Sequence, residues 1–132
     1  CSSKCKCNQE TSINIKITKL PLYFLIGLKK ALINEKGKQI KINNNIEYPE
    51  QLNLYEYVNQ DIIKEEDCHY QLIGIVNHTG TISRSHYTSL IKINNKWVEC
   101  NDDILHYADY LNKGNSFTDN TSAILFYQKI IN

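Results

Sequence analysis

The dipeptide Asn94-Asn95 stands between two runs of strand composition, His86-Tyr-Thr-Ser-Leu-Ile-Lys-Ile93 and Lys96-Trp-Val-Glu-Cys-Asn101. Asparagine tolerates the positive φ that a two-residue type I′ turn demands at both central positions, so the sequence predicts a β-hairpin with Asn94 and Asn95 at its tip. That turn sets a register. With Ile93 opposite Lys96, Thr88 falls opposite Asn101 and His86 opposite Asp103. Side chains alternate by two, so His86, Thr88, Asn101 and Asp103 share one face and Asp102 points to the other. A three-residue loop would shift the register by one and bring Asp102 onto the histidine face instead.

The remaining pattern is also mostly strand. Ile13, Ile15 and Ile17 alternate with Asn14, Lys16 and Thr18, which predicts a half-buried strand ended by Pro21. Residues 22–28 form a continuous apolar and aromatic run, predicted as a second strand covered on both faces. Residues 34–38, with Gly37, predict a loop, and residues 39–48 resume strand character. Residues 49–58 offer neither a clean helix nor a clean strand pattern, and residues 59–67 suit a charged surface connection or short helix. Residues 69–77, 86–93, 96–101 and 122–130 are rich in Ile, Val, Tyr, Phe and Thr and predict strands; only residues 103–112 look helical. The expected fold class is α+β, mainly antiparallel β.

At 132 residues the chain suits a single domain with one core. Its 42% hydrophobic and 22% charged residues with a net charge of +1 leave no basic surplus for phosphate neutralisation, so neither nucleic acid nor an anionic membrane is an expected partner. The longest apolar run, residues 20–28, is interrupted by Gly27 and falls short of the roughly 20 residues that span a bilayer. Five cysteines, with Cys1, Cys5 and Cys7 crowded at one end and Cys68 and Cys100 standing alone, make a poor disulfide framework. The expected location is therefore intracellular, cytoplasm or nucleus, with free thiols.

An imidazole held by an Asn or Asp acceptor is what a cysteine nucleophile needs, because the acceptor fixes the tautomer and leaves the other ring nitrogen free to take the thiol proton. A histidine at a strand end is, taken alone, more often a surface hydrogen-bonding group. The hairpin by itself leaves both roles open.

The surrounding sequence narrows the choice. Tyr70-Gln-Leu-Ile-Gly-Ile-Val-Asn-His78-Thr-Gly80, Ser85-His86-Tyr87-Thr88, Trp97-Val-Glu-Cys-Asn101-Asp102 and Ala123-Ile-Leu-Phe-Tyr127 together resemble the histidine box of the ubiquitin-specific proteases. Upstream, Ile17-Thr-Lys-Leu-Pro21, Leu28-Lys29-Lys30, Lys41-Ile42 and Tyr48-Pro49-Glu-Gln-Leu52-Asn-Leu54 resemble, in the same order, the segments that precede that box. The resemblance implies the palm and part of the fingers of a papain-like cysteine protease fold: a single partial domain over residues 1–132, with residues 1–20 ending the fingers and 21–132 forming the palm. It implies a deubiquitinase that hydrolyses the bond at the ubiquitin C-terminus through a thioester, with ubiquitin or ubiquitinated proteins as partners and no catalytic cofactor. His86 then matches the general base, Asn101 its orienting residue, and Asp102 the adjacent acidic position that polarises the site. Tyr87, Ser85 and His78 match positions beside the ubiquitin tail, residues 79–85 a loop closing over it, and residues 31–38 a rim loop.

Three positions depart from the family pattern: Ser85 replaces a glycine before the His-Tyr pair, and Lys30-Ala31 replaces an Arg-Phe. Nothing in the chain matches the segments that carry the nucleophilic cysteine and the oxyanion donor, so a fragment that is inactive alone is expected. Cys68 and Cys100 are expected to be structural. The family often carries a zinc ribbon at the fingers, and Cys1 with Cys5 could supply two of its thiolates, with Cys7 as substitute; unligated cysteines are the alternative. Two other functions stay open: an inactive ubiquitin-binding pseudo-protease module, and a peptidase for another ubiquitin-like modifier.

Overall fold

In the computed structural model, which describes residues 12–81, 84–108 and 116–131, Asn94 and Asn95 adopt φ of 47° and 62°. This is the left-handed pair that the type I′ turn requires. Strand β7 (Ser85–Ile93) and strand β8 (Lys96–Asn101) therefore pair as expected, from Ile93↔Lys96 to Ser89↔Cys100. Around this hairpin the other strands are β1 (Tyr23–Gly27), β2 (Ala31–Ile33), β3 (Gln39–Lys41), β4 (Ile46–Pro49), β5 (Gln51–Asn53), β6 (His69–Gly80), β9 (Ile104–Tyr107), β10 (Ser116–Asp119) and β11 (Ser122–Lys129). Seven of them form one antiparallel sheet ordered β1-β11-β6-β7-β8-β9, with β5 also pairing β6. β10 pairs with β4 and β2 with β3 in two separate ribbons. The described helical content is two short 3-10 turns, Tyr55–Tyr57 and Glu65–Cys68, so the architecture is mostly antiparallel β.

One face of the large sheet carries the core: Tyr70, Leu72, Ile75, Leu90, Trp97, Leu125 and Tyr127 are all buried. The β4–β10 ribbon covers it. Phe117 of β10 meets the Trp97 ring edge-on at 5.5 Å and lies parallel to Tyr48 of β4 at 5.6 Å. Such pairs add about 0.5–1.5 kcal/mol each beyond their burial. Tyr127 donates its hydroxyl to the Pro49 carbonyl at 2.7 Å, which satisfies the one polar atom that ring buries.

Two β-bulges decide which residues share that face. Between Phe126↔Gly74 and Tyr127↔Leu72, β6 carries one extra residue, Ile73; between Ser122↔Asn77 and Ile124↔Val76, β11 carries one extra, Ala123. After Ile73 the core-facing set of β6 switches from Tyr70 and Leu72 to Ile75, Asn77 and Thr79.

Five expectations fail, each for a tertiary reason. Residues 13–17 form no strand: Ile13 and Ile15 are 85% and 86% exposed, and the segment is tied down at its end, where Ile17 bridges Val58 and Lys16 Nζ donates to the Glu56 carbonyl. Residues 22–28 are not covered twice, because β1 is the edge strand; Phe24 and Ile26 face inward while Tyr23 and Leu25 are exposed. Residues 103–112 are not helical where described, since residues 104–107 pair as strand β9 with β8. Residues 79–85 are less of a loop than expected, because the β6–β7 ladder continues to Gly80↔Ser85. The 31–38 rim is likewise a hairpin of β2 and β3, turned by Gly37 at φ 73°.

Candidate functional site

At the open end of the β7–β8 hairpin, His86 Nε2 lies 2.6 Å from Asn101 Oδ1. An amide oxygen can only accept, so Nε2 carries the hydrogen and donates. In the neutral ring that assignment leaves Nδ1 with a lone pair, able to receive a proton. Asn101 reaches this point because it is the last residue of β8. The chain turns at Asp102, whose φ of 50° is one an Asp tolerates, and returns as β9 with Asn101 opposite Ile104. The same turn removes Asp103 from the ladder, so the expected His86–Asp103 pairing is absent and the β7–β8 register stops at Ser89↔Cys100. Asp102 occupies the turn itself rather than a strand face.

The other flank of His86 is the end of β6. Thr79 stands opposite His86, and Gly80 opposite Ser85. Beyond that pair, Thr81 N donates to the Arg84 carbonyl at 2.8 Å, and Arg84 N to Thr81 Oγ1 at 3.1 Å. Gly80 has φ 88°, and a Cβ there would fall inside contact distance of the Arg84 carbonyl oxygen. Alternation puts Ser85 and Tyr87 on the face opposite His86. There Tyr87, 60% exposed, stacks on its cross-strand partner His78 at 4.7 Å and 23°. The predicted site residues thus fall into two groups: His86 with Asn101 on one face, and His78, Tyr87 and Ser85 on the other.

Behind the histidine lies a polar cluster that the sequence did not signal. Asp119 Oδ1 accepts the Thr121 and Ser122 amides, both at 2.6 Å, and Oδ2 accepts the hydroxyls of Tyr48 and Ser122, both at 2.6 Å. Ser122 Oγ also lies 3.3 Å from Asn77 Oδ1, and Asn77 is the partner of Thr88, which sits between His86 and Leu90 on the same face. Burial pushes the Asp119 carboxyl up, but the bonds from Ser122, Tyr48 and the two amides outweigh it and hold the group below the usual carboxylate range. Burial, reinforced by the Asp119 bond, pushes the Tyr48 phenol well above its usual value, so it stays a donor. Lys41, beyond its place in the Lys41-Ile42 segment, reaches this end of the sheet: its Nζ donates to the carbonyls of His78 at 3.3 Å and Gly80 at 2.7 Å. Asp119 binds Thr121 and Ser122 locally, but its link to Tyr48, like the contacts of Lys41, joins segments far apart in sequence and so has no local pattern.

Neither described cysteine serves His86. Cys68 is fully buried and donates its thiol to the Lys64 carbonyl at 3.2 Å; burial, then the neighbouring Asp67 charge, pushes that thiol up. Cys100 alternates with Asn101 and points to the other face. Cys1 and Cys5, the expected zinc ligands, lie outside the described residues, as does Cys7. Among the described residues there is no group of three or more His, Cys, Asp or Glu that could hold a metal, and no helix long and apolar enough to cross a membrane.

Comparison with known proteins gives a consistent picture. A family model described as ubiquitin carboxyl-terminal hydrolase matches residues 1–127. Ubiquitin carboxyl-terminal hydrolase 8 of Saccharomyces cerevisiae is 32% identical over 113 residues, covering 77% of this chain and 23% of that protein. Ubiquitin carboxyl-terminal hydrolase nonstop of Drosophila melanogaster is 28% identical over 132 residues, covering 96% of this chain and 25% of that protein. Among solved structures, a SAGA DUB module of Ubp8, Sgf11, Sus1 and Sgf73 bound to monoubiquitin matches with a TM-score of 0.73 at 28% identity, covering 88% of this chain and 25% of that one. The same module bound to ubiquitin aldehyde also matches with a TM-score of 0.73. The chain spans about a quarter of the length of the curated relatives described here.

Proposed function

The chain belongs to the ubiquitin carboxyl-terminal hydrolase family, and on that premise we propose that the complete protein is a cysteine-type deubiquitinase in which His86 is the general base and Asn101 orients it. The observation that carries this function is the 2.6 Å bond from His86 Nε2–H to Asn101 Oδ1, which leaves Nδ1 as the proton acceptor. A thiol supplied from outside these 132 residues gives its proton to Nδ1 and attacks the carbonyl carbon at the ubiquitin C-terminus. The imidazolium then protonates the departing amine, leaving a thioester. Water, deprotonated by the same Nδ1, hydrolyses the thioester and restores the thiol. Asn101 contributes by holding one tautomer and one ring orientation through both halves of the cycle. Asp102, next in sequence, adds negative charge near the imidazolium.

His78, Tyr87 and Ser85 are assigned to the ubiquitin tail. The exposed Tyr87 ring, backed by His78, offers a flat apolar surface against which an extended glycine-rich strand can lie. The matched solved structures that carry ubiquitin or ubiquitin aldehyde support ubiquitin as the modifier. Residues 21–132 are assigned to the palm and residues 1–20 to the end of the fingers, where Cys1 and Cys5 would contribute to a structural zinc site.

Ubiquitin bearing a C-terminal electrophile tests the assignment. The complete protein should become labelled on a cysteine outside this chain, and His86→Ala should abolish labelling. Full labelling of that variant would remove His86 as the base. A wild-type protein that binds ubiquitin but is never labelled would be the ubiquitin-binding module instead.

A further inference from the structure

Strand β6 outlasts its neighbour. Its ladder with β11 begins at Asn77↔Ser122, whereas its ladder with β7 continues through His78↔Tyr87 and Thr79↔His86 to Gly80↔Ser85. His78 still turns its backbone toward the β11 side, since its amide donates to the Thr121 carbonyl at 2.8 Å. Gly80, two residues on, presents its carbonyl to that same edge, where no strand remains. The Lys41 ammonium fills the gap, donating to the His78 carbonyl at 3.3 Å and the Gly80 carbonyl at 2.7 Å. Lys41 is the last residue of β3, and the base of the β2–β3 hairpin is itself tied down. Ile42 N donates to the Lys30 carbonyl at 2.8 Å, and the buried Lys30 ammonium donates to the Asn120 carbonyl at 3.3 Å.

We propose that Lys41 is a positioning residue for His86, substituting for the missing strand so that the end of β6, and with it the start of β7, stays in register. This takes as its premise the assignment of His86 as the base. The two carbonyls it holds bracket Thr79, the residue opposite His86, whose Oγ1 lies 3.4 Å from the His86 carbonyl. A carbonyl edge without donors frays, and a fraying β6 releases the strand on which the imidazole stands. Lysine suits the task because its ammonium carries three rotatable donors on a long stem, so one side chain can serve two carbonyls of the same edge. The side chain acts on backbone alone and touches neither the imidazole nor Asn101 in any described contact.

The test is steady-state hydrolysis of a ubiquitin C-terminal fluorogenic amide by the complete protein and its Lys41→Met, Lys41→Arg and His86→Ala variants. Lys41→Met keeps the stem and removes the donors; kcat should fall about tenfold with KM unchanged within about twofold, because small misplacements of a catalytic group already cost rates of this order. Lys41→Arg, which retains donors able to span both carbonyls, should recover most of the loss. A wild-type kcat in Lys41→Met, a raised KM with unchanged kcat, or no recovery in Lys41→Arg would each overturn the proposal. If Lys41→Met does not fold, Lys41→Gln, a neutral donor on a shorter stem, should show an intermediate kcat, and wild-type turnover there is equally fatal. His86→Ala separates the two claims: an active His86→Ala overturns the assignment of the base, whereas an inactive one beside an unaffected Lys41→Met overturns only the role of Lys41.

Discussion

His86 and Asn101, 15 residues apart in sequence, meet through a 2.6 Å bond because a two-asparagine turn folds β8 back along β7 and a second turn ends β8 at Asn101. Only an acceptor at Asn101 keeps the hydrogen on Nε2 and the lone pair on Nδ1.

Asn101→Ala should therefore lower kcat of the complete protein by about 10²-fold, the lower end of what a positioned general base contributes, with little change in KM. Asn101→Asp keeps an acceptor and should stay within about tenfold of wild type, and Asp103→Ala should be nearly neutral because the turn takes it away from His86. Hydrolysis of a ubiquitin C-terminal amide ranks the three. An Asp103→Ala defect larger than that of Asn101→Ala would mean the wrong residue has been assigned to the histidine.

Gly80→Ala should damage both the tip and the activity. A residue with a Cβ at positive φ costs about 1–2 kcal/mol, and here the new atom also meets the Arg84 carbonyl. We expect a stability loss of that order in urea titration together with a fall in kcat/KM, since Gly80 and Ser85 close the ladder beside His86. Wild-type stability and turnover would show that the positive φ at Gly80 is dispensable.

Asp119 should make the fold sensitive to acid. Its carboxyl is depressed in the folded state, below the value of about 3.9 expected when unfolded, so its stabilisation is complete above the unfolded value and disappears as pH falls through the folded one. At neutral pH, Asp119→Ala should cost about 2–3 kcal/mol through the loss of charge-assisted bonds from Tyr48, Ser122 and the Thr121 amide. The difference between wild type and variant should narrow as pH falls from about 4 through the lower folded value, where the wild-type carboxylate protonates. A gap that stays constant across that range would rule out the ionised carboxylate as its source.

The hairpin tip offers a local control. Asn94→Ala and Asn95→Ala each force a Cβ residue less tolerant than Asn into the left-handed region at φ 47° and 62°, at an expected cost of up to about 1–2 kcal/mol. Asn95→Gly should be neutral or stabilising by a few tenths of a kcal/mol, because Asn-Gly is the favoured type I′ pair. Thermal melts of the three variants check the order; an Asn95→Gly less stable than Asn95→Ala would contradict the turn.

Local chemistry sufficed where the cause was local. Asn94-Asn95 specified its turn, the turn specified the register, and the register put Asn101 within reach of His86; the β-rich runs around residues 69–77, 86–93, 96–101 and 122–130 became strands for the same reason. Residues 13–17 show the limit of such patterns: alternation makes a strand only if a neighbour supplies a ladder, and there only Ile17 finds a partner. Residues 22–28 show it again, since an apolar run cannot reveal that its strand lies at a sheet edge.

What the tertiary structure alone decided was the face. Alternation continued from Tyr70 and Leu72 would have put His78 on the core side, level with His86 and Asn101, but the extra residue Ile73 moves Thr79 there and sends His78 to stack on Tyr87. A bulge is a compromise between two paired strands, and neither strand's own sequence contains it. The same holds for the bonds from Lys41 to His78 and from Tyr48 to Asp119, which join segments 37 and 71 residues apart. The His86–Asn101 pair was legible because one short hairpin makes it; the bulged sheet and the groups that steady it belong to the whole chain.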